Sequence, residues 1–485
     1  MMMNDVITKY ELVVGLEVHA QLRTQSKAFC SDSTDFGALP NTLLSPISMG
    51  HPGTLPRFNG QVLEYGILLG LAMNCKIREY NEFARKNYFY ADLPKGYQIT
   101  QHLTPLAYGG YLDLECDEGK HRRVGITRIH MEEDAGKSIH DQDPLDTLVD
   151  LNRCGVPLLE IVSEPDLRTA REAYLYLQEI RRLVRYLEIC DGNMEEGSLR
   201  CDANISVRPV GSTEFGAKVE VKNMNSMRHV QKAIEYEYQR QCEAVERGER
   251  IVSETRSFDP QAQNTFALRS KEAANDYRYF PEPDLPPILV TPSVIEGIQS
   301  KMPPLPAALM AQFTNELGLS AYDAGVLCDQ KELALWFLSL ISGTTHTKQA
   351  ANWTMGPVKT WLNARALPIS DLPISALSLA QLINAVQEGK LSHHQAVQQV
   401  WPAWLEQPNR NLQELLKDLG LEGGTVEDDL PALVQEVLAS MPAKVQEYRD
   451  GKKGLLALFM GEIMKRTGGR AQPARASALL QEALN

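Results

Sequence analysis

The sequence predicts an α+β fold, in which a mostly antiparallel sheet is followed by an all-helical region. Short segments of alternating apolar and polar residues, such as 10–18 and 218–222, recur between turns, and this period of two indicates strands. After Pro306 such segments stop, and apolar residues such as Trp336 and Leu340 recur at helical spacing. Strands joined by short turns and then followed by helices are typical of this fold class.

Length and proline content predict the domain organisation. A chain of 485 residues exceeds what one hydrophobic core usually supports. Prolines cluster in the passages 281–306 and 402–408, and such clusters mark linkers. We therefore expect a sheet-containing domain over residues 1–293, a helical domain over 294–408 and a small helical tail over 409–485.

Composition excludes several classes of protein. The net charge of −13 argues against nucleic-acid binding over the whole surface, although a local basic patch remains compatible with it. The eight cysteines form no C-x-x-C pair, which is typical of reduced thiols in a cytoplasmic protein. No segment resembles a signal peptide or is long and apolar enough to span a membrane. We therefore expect a cytoplasmic protein with no membrane partner.

Acidic residues stand at three places where a carboxylate needs compensation. The strand candidate at residues 10–18 is apolar on one face, and Glu17 and His19 share the other face. Glu160 lies inside an apolar strand, where a carboxylate is costly unless it is paired or bound to a metal. Asp202 lies on the polar face of a further strand. Glu17 and His19 could point toward a site together, or they could occupy an exposed face of the sheet.

A run of three acids, residues 132–134, is followed by Gly136 and Lys137. Neighbouring ionised carboxylates require water, a basic partner or a metal cation. The Gly-Lys-Ser sequence resembles the end of a phosphate-binding P-loop, but Met131 stands where that motif requires its first glycine. The run therefore suits Mg²⁺ and phosphate without a P-loop, or else it is a solvated charged turn.

Two segments suggest contact with nucleic acid. Residues 85–97 alternate basic and aromatic side chains, which suits base stacking and phosphate contact, although a half-buried hairpin explains them equally well. Residues 451–476 hold six basic residues and one acid, Glu462. On an acidic protein this basic helical tip predicts an RNA- or DNA-binding surface, and the alternative is a solvated helix end.

Several long runs of residues are characteristic of one family. They are residues 15–22 (GLEVHAQL), 85–90 (RKNYFY), 92–98 (DLPKGYQ), 128–137 (RIHMEEDAGK), 152–166 (NRCGVPLLEIVSEPD), 193–204 (NMEEGSLRCDAN) and 276–286 (DYRYFPEPDLP). With these runs the chain resembles, over nearly its whole length, the GatB family, which supplies one subunit of the aspartyl/glutamyl-tRNA amidotransferases. The tail, with GKK at 451–453 and GEIMK at 461–465, is similar to the family's YqeY-like domain.

This resemblance implies a glutamine synthetase-like catalytic domain, a helical domain and a helical tail. It implies a heterotrimer with an amidase subunit, which releases ammonia from glutamine, and a small third subunit. The chain would then bind misacylated Glu-tRNA(Gln) or Asp-tRNA(Asn), and not DNA. It would use ATP and Mg²⁺ to phosphorylate the side-chain carboxylate, and ammonia would displace the phosphate.

The resemblance also implies site residues. The positions that would bind metal and carry the catalysis are Glu17, His19, Glu132 and Glu160, with Asp202 as a further metal ligand. Imidazole is a poor ligand for Mg²⁺, so His19 could instead bind a water or make the site tolerant of Mn²⁺. The candidates for contact with nucleotide or substrate are Lys137, Asn152, Arg153 and Lys222.

One departure from the family concerns zinc. Many members carry four zinc-binding cysteines in the loop of residues 29–53, and those places here are Cys30, Asp32, Ser45 and Ser48. This set is a poor match for a tetrahedral structural zinc site. We therefore expect no zinc, and a loop held by packing instead.

Two other functions remain as alternatives. In the first, the protein is a non-catalytic tRNA-binding scaffold whose acids are structural; Glu160 argues against it, since a scaffold has no reason to place an acid in an apolar strand. In the second, it is a free-standing ligase for a small acid, which has no need of the basic tail.

Overall fold

The computed structural model describes residues 8–116, 119–140, 142–270, 277–421, 430–467, 471 and 473–484, without the side chains of residues 269 and 270. Asp276 of the family-like run and Arg470 of the basic tail lie outside the described residues. The chain divides into two compact units, the first ending at Pro306 and the second beginning at Ala307. The finer division into three domains stays a prediction.

The first unit is built on a nine-stranded sheet with the order β14-β13-β12-β11-β1-β10-β7-β6-β2. Its neighbours pair antiparallel except β12 and β13, which are parallel, so the predicted α+β class and largely antiparallel sheet are confirmed. The strands are β1 Tyr10–Gln21, β2 Lys76–Ile77, β3 Tyr80–Asn81, β4 Ala84–Asn87, β5 Tyr97–Thr100, β6 Ala107–Glu115, β7 His121–Glu133, β8 Lys137–Ile139, β9 Leu148–Asp150, β10 Pro157–Ser163, β11 Leu199–Pro209, β12 Val219–Lys222, β13 Glu254–Asp259, β14 Asn264–Ser270, β15 Phe280–Pro281 and β16 Ile288–Leu289.

Helices cover one face of this sheet. Three long helices pack there, α1 Gly60–Ala72, α2 Ala170–Tyr186 and α3 Met227–Glu246, and α4 Pro292–Gln299 follows later in the chain. They share one hydrophobic core with the strands, to which β1 contributes Leu12, Val14, Leu16, Val18 and Ala20. Because side chains alternate along a strand, the residues between these apolar positions point to the opposite face, which no helix of this core covers in the described part of the unit.

Smaller sheets lie beside that opposite face. Strands β15, β4 and β5 form a three-stranded sheet, while β16 pairs with β3 and β8 pairs with β9. Thr100 at the end of β5 donates a hydrogen bond to Glu132 of β7 at 3.1 Å, and Gln98 donates one to the carbonyl oxygen of Glu133 at 2.6 Å. The small sheet is thereby joined to the polar face of the large one.

The second unit has no strand among its described residues. Its α-helices are α5 Pro306–Ala311, α6 Ala321–Leu327, α7 Lys331–Ser342, α8 Thr347–Trp353, α9 Lys359–Asn363, α10 Ala376–Gln387, α11 His393–Gln395, α12 Trp401–Glu406, α13 Leu412–Asp418, α14 Leu430–Ser440, α15 Pro442–Arg449, α16 Leu456–Arg466 and α17 Pro473–Leu484. Short π-helices at Gln312–Glu316, Thr354–Val358 and Ala396–Val400, and 3₁₀ turns at Ile369–Asp371 and Lys453–Leu455, join some of them.

The tail helices α14 to α17 form a hydrophobic core of their own, with Leu430, Val434, Phe459, Ile463 and Leu480 at its centre. In the described residues of both units, no helix combines the length and the apolar character needed to cross a membrane.

Candidate functional site

Strand β1 brings the predicted acids together because it lies between β10 and β11. Glu17 pairs with Asp202 of β11, and His19 pairs with Glu160 of β10. Paired residues of an antiparallel sheet point to the same face, so these four side chains share the polar face of the sheet. Glu132 reaches the same face from β7, the strand next to β10.

His19, Glu132 and Glu160 form a first cluster, whose potential ligand atoms lie within 4.8 Å of one another. The His19 Nε2 atom is 3.2 Å from Glu160 Oε2 and 3.8 Å from Glu132 Oε1. Burial alone would lower the pKa of His19, but its hydrogen bond to Glu160 and the negative charges of both acids raise it above the usual value. The cluster therefore attracts positive charge.

Glu17, Asp202 and Glu220 form a second cluster of the same kind. Asn204 donates a hydrogen bond to Glu17 at 2.8 Å, and the Lys222 ammonium bonds to Asp202 and lies 3.2 Å from Glu220. Burial lowers the pKa of Lys222, but the two carboxylates raise it well above its usual value. Lys222 therefore remains charged and offsets part of this cluster's negative charge.

Both clusters fit a hard divalent cation. Their oxygen ligands come from separate strands, which matches the preference of Mg²⁺ for carboxylates, and the imidazole of His19 also suits Mn²⁺. Glu132 is only 4% exposed, and ionised buried carboxylates are costly without compensation. Within the described residues no other group of three such side chains lies as close together.

Three residues near the clusters were missed by sequence reasoning. His130 Nε2 lies 3.5 Å from Glu132 Oε2 and 3.6 Å from Glu160 Oε2. Lys86 is buried, which lowers its pKa, yet the charge of Glu132 outweighs burial and raises it. The available signals were periodicity alone, since His130 shares a strand face with Glu132, and the third residue, Glu220, shares one with Lys222.

The run of three acids divides among three sets of partners. Glu132 belongs to the first cluster, whereas Glu133 bonds to the Lys95 ammonium and accepts the backbone N–H of Ile99 at 2.9 Å. Asp134 accepts hydrogen bonds from Arg200 at 2.7 Å and from Gln21 at 2.5 Å. The run is therefore not a solvated charged turn, because all three carboxylates are buried.

The other predicted contacts for nucleotide or substrate occupy different surroundings. Lys137 is exposed on β8. Asn152 donates to the Leu39 carbonyl at 2.7 Å and accepts the Leu43 N–H at 2.8 Å. Arg153 donates to the carbonyls of Ala135 and Gly136 and lies 3.6 Å from Asp134. Only Lys222 adjoins a cluster, and the binding roles of all four stay predictions.

A pocket of about 280 Å³ opens beside the second cluster. Glu17 and Asn204 line it together with the ring of Phe215, the ammonium-bearing side chain of Lys218 and the hydroxyl-bearing Ser163. A partly apolar cavity with a few convergent polar groups is the usual form of a small-molecule site. The pocket and the second cluster thus form one continuous candidate site.

The loop that carries zinc in many members of the resembled family is held here by hydrogen bonds. The Asp32 carboxylate accepts the backbone N–H of Ser45 at 3.0 Å and the hydroxyl of Ser48. Burial raises the pKa of Asp32, but hydrogen bonds from Ser48, Cys30 and Ser45 lower it below the usual value. The donor set does not fit tetrahedral zinc, since two of its four members are hydroxyls.

We expect a zinc-selective chelator to leave the melting temperature of the wild-type protein unchanged, because no zinc bond would be lost. Asp32→Ala should lower that temperature, since it leaves the Ser45 N–H without its acceptor at a cost of about 1–3 kcal/mol. Calorimetry with and without chelator measures both effects. A chelator effect on the wild type, with zinc found by elemental assay, would contradict this account.

We expect Asp134→Asn to lower the free energy of unfolding at pH 7 by about 3 kcal/mol, because buried Arg200 loses its partner charge. Burial raises the pKa of Asp134, but the charges of Arg200 and Arg153 and the hydrogen bonds of Arg200 and Gln21 lower it overall. A carboxylate with a depressed pKa contributes stability above its unfolded-state pKa of about 3.9 and loses it as pH falls further.

The difference in melting temperature between wild type and Asp134→Asn should therefore be constant from pH 7 to about pH 5 and shrink below about pH 4. Calorimetry across this range measures it, with Glu115→Gln, at an exposed position at the end of β6, as the control. A difference that grows as the pH falls would exclude the arginine pairing as its cause.

Comparison with known proteins agrees with this geometry. The GatB/GatE catalytic domain matches residues 12–296, which include both clusters, and the GatB domain matches residues 335–484. The chain is 50% identical to the GatB subunit of the aspartyl/glutamyl-tRNA(Asn/Gln) amidotransferase of Thermosynechococcus vestitus, covering 98% of this chain and 97% of the relative.

Similar proteins occur in other bacteria. The protein of the same name from Synechococcus sp. strain JA-2-3B'a(2-13) is 48% identical over 98% of both chains, and that from Thermodesulfovibrio yellowstonii is 46% identical over 97% of this chain and 98% of its own length. Such identity over whole chains, together with two family domains in order, shows that this chain belongs to the GatB family of aspartyl/glutamyl-tRNA(Asn/Gln) amidotransferase subunits.

Proposed function

We propose that the chain is the ATP-dependent subunit of a tRNA-dependent amidotransferase, a carbon–nitrogen ligase with glutamine as amido donor. It acts on the side-chain carboxylate of Glu-tRNA(Gln) or Asp-tRNA(Asn). The observation that carries this proposal is the pair of carboxylate clusters on one face of the sheet, beside a pocket of nucleotide size. The names of the relatives supply the substrate class.

The chemistry has two steps. In the first, an oxygen of the substrate carboxylate attacks the γ-phosphorus of ATP, so that an acyl phosphate forms and ADP leaves. In the second, the nitrogen of ammonia attacks the acyl carbon, phosphate leaves, and the nitrogen loses a proton to give the amide. Bound Mg²⁺ would neutralise the charge that develops on the phosphate oxygens.

The residues of the two clusters then have separate tasks. His19, Glu132 and Glu160 hold a divalent cation close to the reacting carboxylate and phosphate. Glu17, Asp202 and Glu220 hold one beside the nucleotide, whose base and sugar occupy the pocket lined by Phe215 and Ser163. Lys222 adds a fixed positive charge near the phosphates, which favours binding of the triphosphate.

The partners follow from the family's subunit naming and from the charge of the tail. We propose that an amidase subunit and a small third subunit complete the enzyme, and that it works in the cytoplasm. Lys452 and Lys453 precede helix α16, and Lys465 and Arg466 end it. These exposed bases suit the backbone and shape of structured RNA rather than its base sequence.

The two alternatives are weaker. A scaffold needs no buried acid cluster, yet Glu132 and Glu160 lie together against His19 with little exposure to solvent. A free-standing ligase for a small acid needs no basic tail. The family membership of both units, including the tail, favours the complete tRNA-dependent enzyme.

We expect Glu132→Gln, in the complex assembled with its partner subunits, to lower tRNA-dependent ATP hydrolysis and Gln-tRNA formation by about 100-fold or more. The reason is that the first cluster loses a charged ligand. Binding of Glu-tRNA(Gln) should change only slightly, and the exposed Glu115→Gln should behave as wild type. Equal loss of ATP turnover and tRNA binding would show a structural role and favour the scaffold.

We expect the variant Lys452→Glu/Lys453→Glu/Lys465→Glu to weaken tRNA binding and to flatten its dependence on salt, because fewer counterions are released. ATP turnover at saturating tRNA should be retained. A matched control is Lys390→Glu, since Lys390 is an exposed lysine outside the tail. Binding constants at several salt concentrations measure the effect, and unchanged tRNA affinity would remove the tail from the RNA-binding surface.

A further inference from the structure

A continuous series of rings runs beside the first cluster. We call it the aromatic ladder, and its members in spatial order are Tyr90, Tyr88, Tyr277, Tyr279 and His102. The three tyrosine–tyrosine contacts have ring centroids 5.9, 6.2 and 6.0 Å apart and are edge-to-face. His102 stacks flat on Tyr279, with centroids 4.0 Å apart and an interplanar angle of 5°.

The ladder is exposed at both ends and half-buried in the middle. Tyr90 is 62% exposed, and His102 at the other end is exposed as well, while the three tyrosines between them are half-buried. Rings that served only to fill a core would be covered throughout. An exposed ring that is already stacked on one side offers its other face to a further planar group.

The middle of the ladder adjoins the candidate catalytic acids. The Lys86 ammonium lies 5.8 Å from the ring centre of Tyr88 and 5.1 Å from that of Tyr277. The negative charges of Glu132 and Glu160 act on Lys86 and on Tyr279 alike. Lys86 thus places a cation on the ladder within electrostatic range of the first cluster.

We propose that the aromatic ladder binds the single-stranded 3′ end of the aminoacylated RNA and thereby brings its terminal aminoacyl group to the first cluster. The inference rests on the proposed function and names the surface that this function leaves open. An aminoacyl-tRNA carries its amino acid on the last nucleotide of an unpaired end, so its final bases must lie next to the reacting carboxylate.

The chemistry of the ladder matches this occupant. Unpaired bases stack on aromatic rings whatever their sequence, and a nearby cation attracts the phosphates that join them. Tyr90 and His102 receive the bases, and Lys86 supplies the positive charge. The apolar surface of a partner protein would need no cation at its centre, and we treat that occupant as an outcome of the test.

The test compares two RNA hairpins that copy a tRNA acceptor stem, one ending in single-stranded 3′ CCA and one lacking these three nucleotides. Fluorescence anisotropy gives the Kd of each for the assembled complex. We expect wild type to bind the CCA-ended hairpin about tenfold more tightly. Tyr90→Ala/His102→Ala should lose this ratio, whereas Tyr90→Phe/His102→Phe should keep it, because phenylalanine retains a ring for stacking.

Phe36→Ala is the matched control, since Phe36 is an exposed aromatic residue that belongs to a different loop and should leave the ratio unchanged. A ratio that survives in the double alanine variant, or that is absent in wild type, would overturn the inference. So would a double variant that loses its partner subunits and keeps the ratio, because the ladder would then be a protein interface.

These outcomes are separable from those of the proposed function. Wild-type complex that amidates full-length Glu-tRNA(Gln), while the alanine variant keeps its CCA ratio, would overturn the ladder alone. Wild-type complex that binds both hairpins but hydrolyses no ATP with Glu-tRNA(Gln) would overturn the proposed function instead.

Discussion

The pairing of β1 with β10 on one side and β11 on the other is the constraint on which the candidate site depends. It sets Glu17 opposite Asp202 and His19 opposite Glu160. The same strand buries its alternate residues in the core beneath the helices. A slip of one residue would exchange the two faces and place acids in that core, so the packing that stabilises the first unit also fixes the register of the site.

Charge on this face is compensated unevenly, and the difference indicates function. Glu133 is bonded to Lys95, and Asp134 is bonded to Arg200. The second cluster is partly offset by Lys222. The first cluster has imidazoles as its nearest partners, with the buried Lys86 further away, so it is the place where an added divalent cation would relieve the most repulsion. The arrangement keeps structural ion pairs beside a site whose charge is completed by its ligands.

Periodicity was sufficient to predict the parts of the site that lie on one strand. Glu17 and His19 were placed on one face by the period of two, and the cost of an acid in an apolar strand singled out Glu160. Glu220 could not be found in this way, because its contact with Glu17 depends on which strands are neighbours. Long-range pairing of that kind is set by the packing of the whole sheet, and no local pattern encodes it.

The central claim is that the two clusters bind divalent cations on one face of the sheet. The most direct test is a crystal structure of the complex soaked in Mn²⁺ and ATP, with the ions located by anomalous scattering. The account predicts one anomalous peak within coordination distance of His19, Glu132 and Glu160 and another beside Glu17, Asp202 and Glu220. The absence of a peak at the first cluster, with ATP bound elsewhere on the chain, would contradict it.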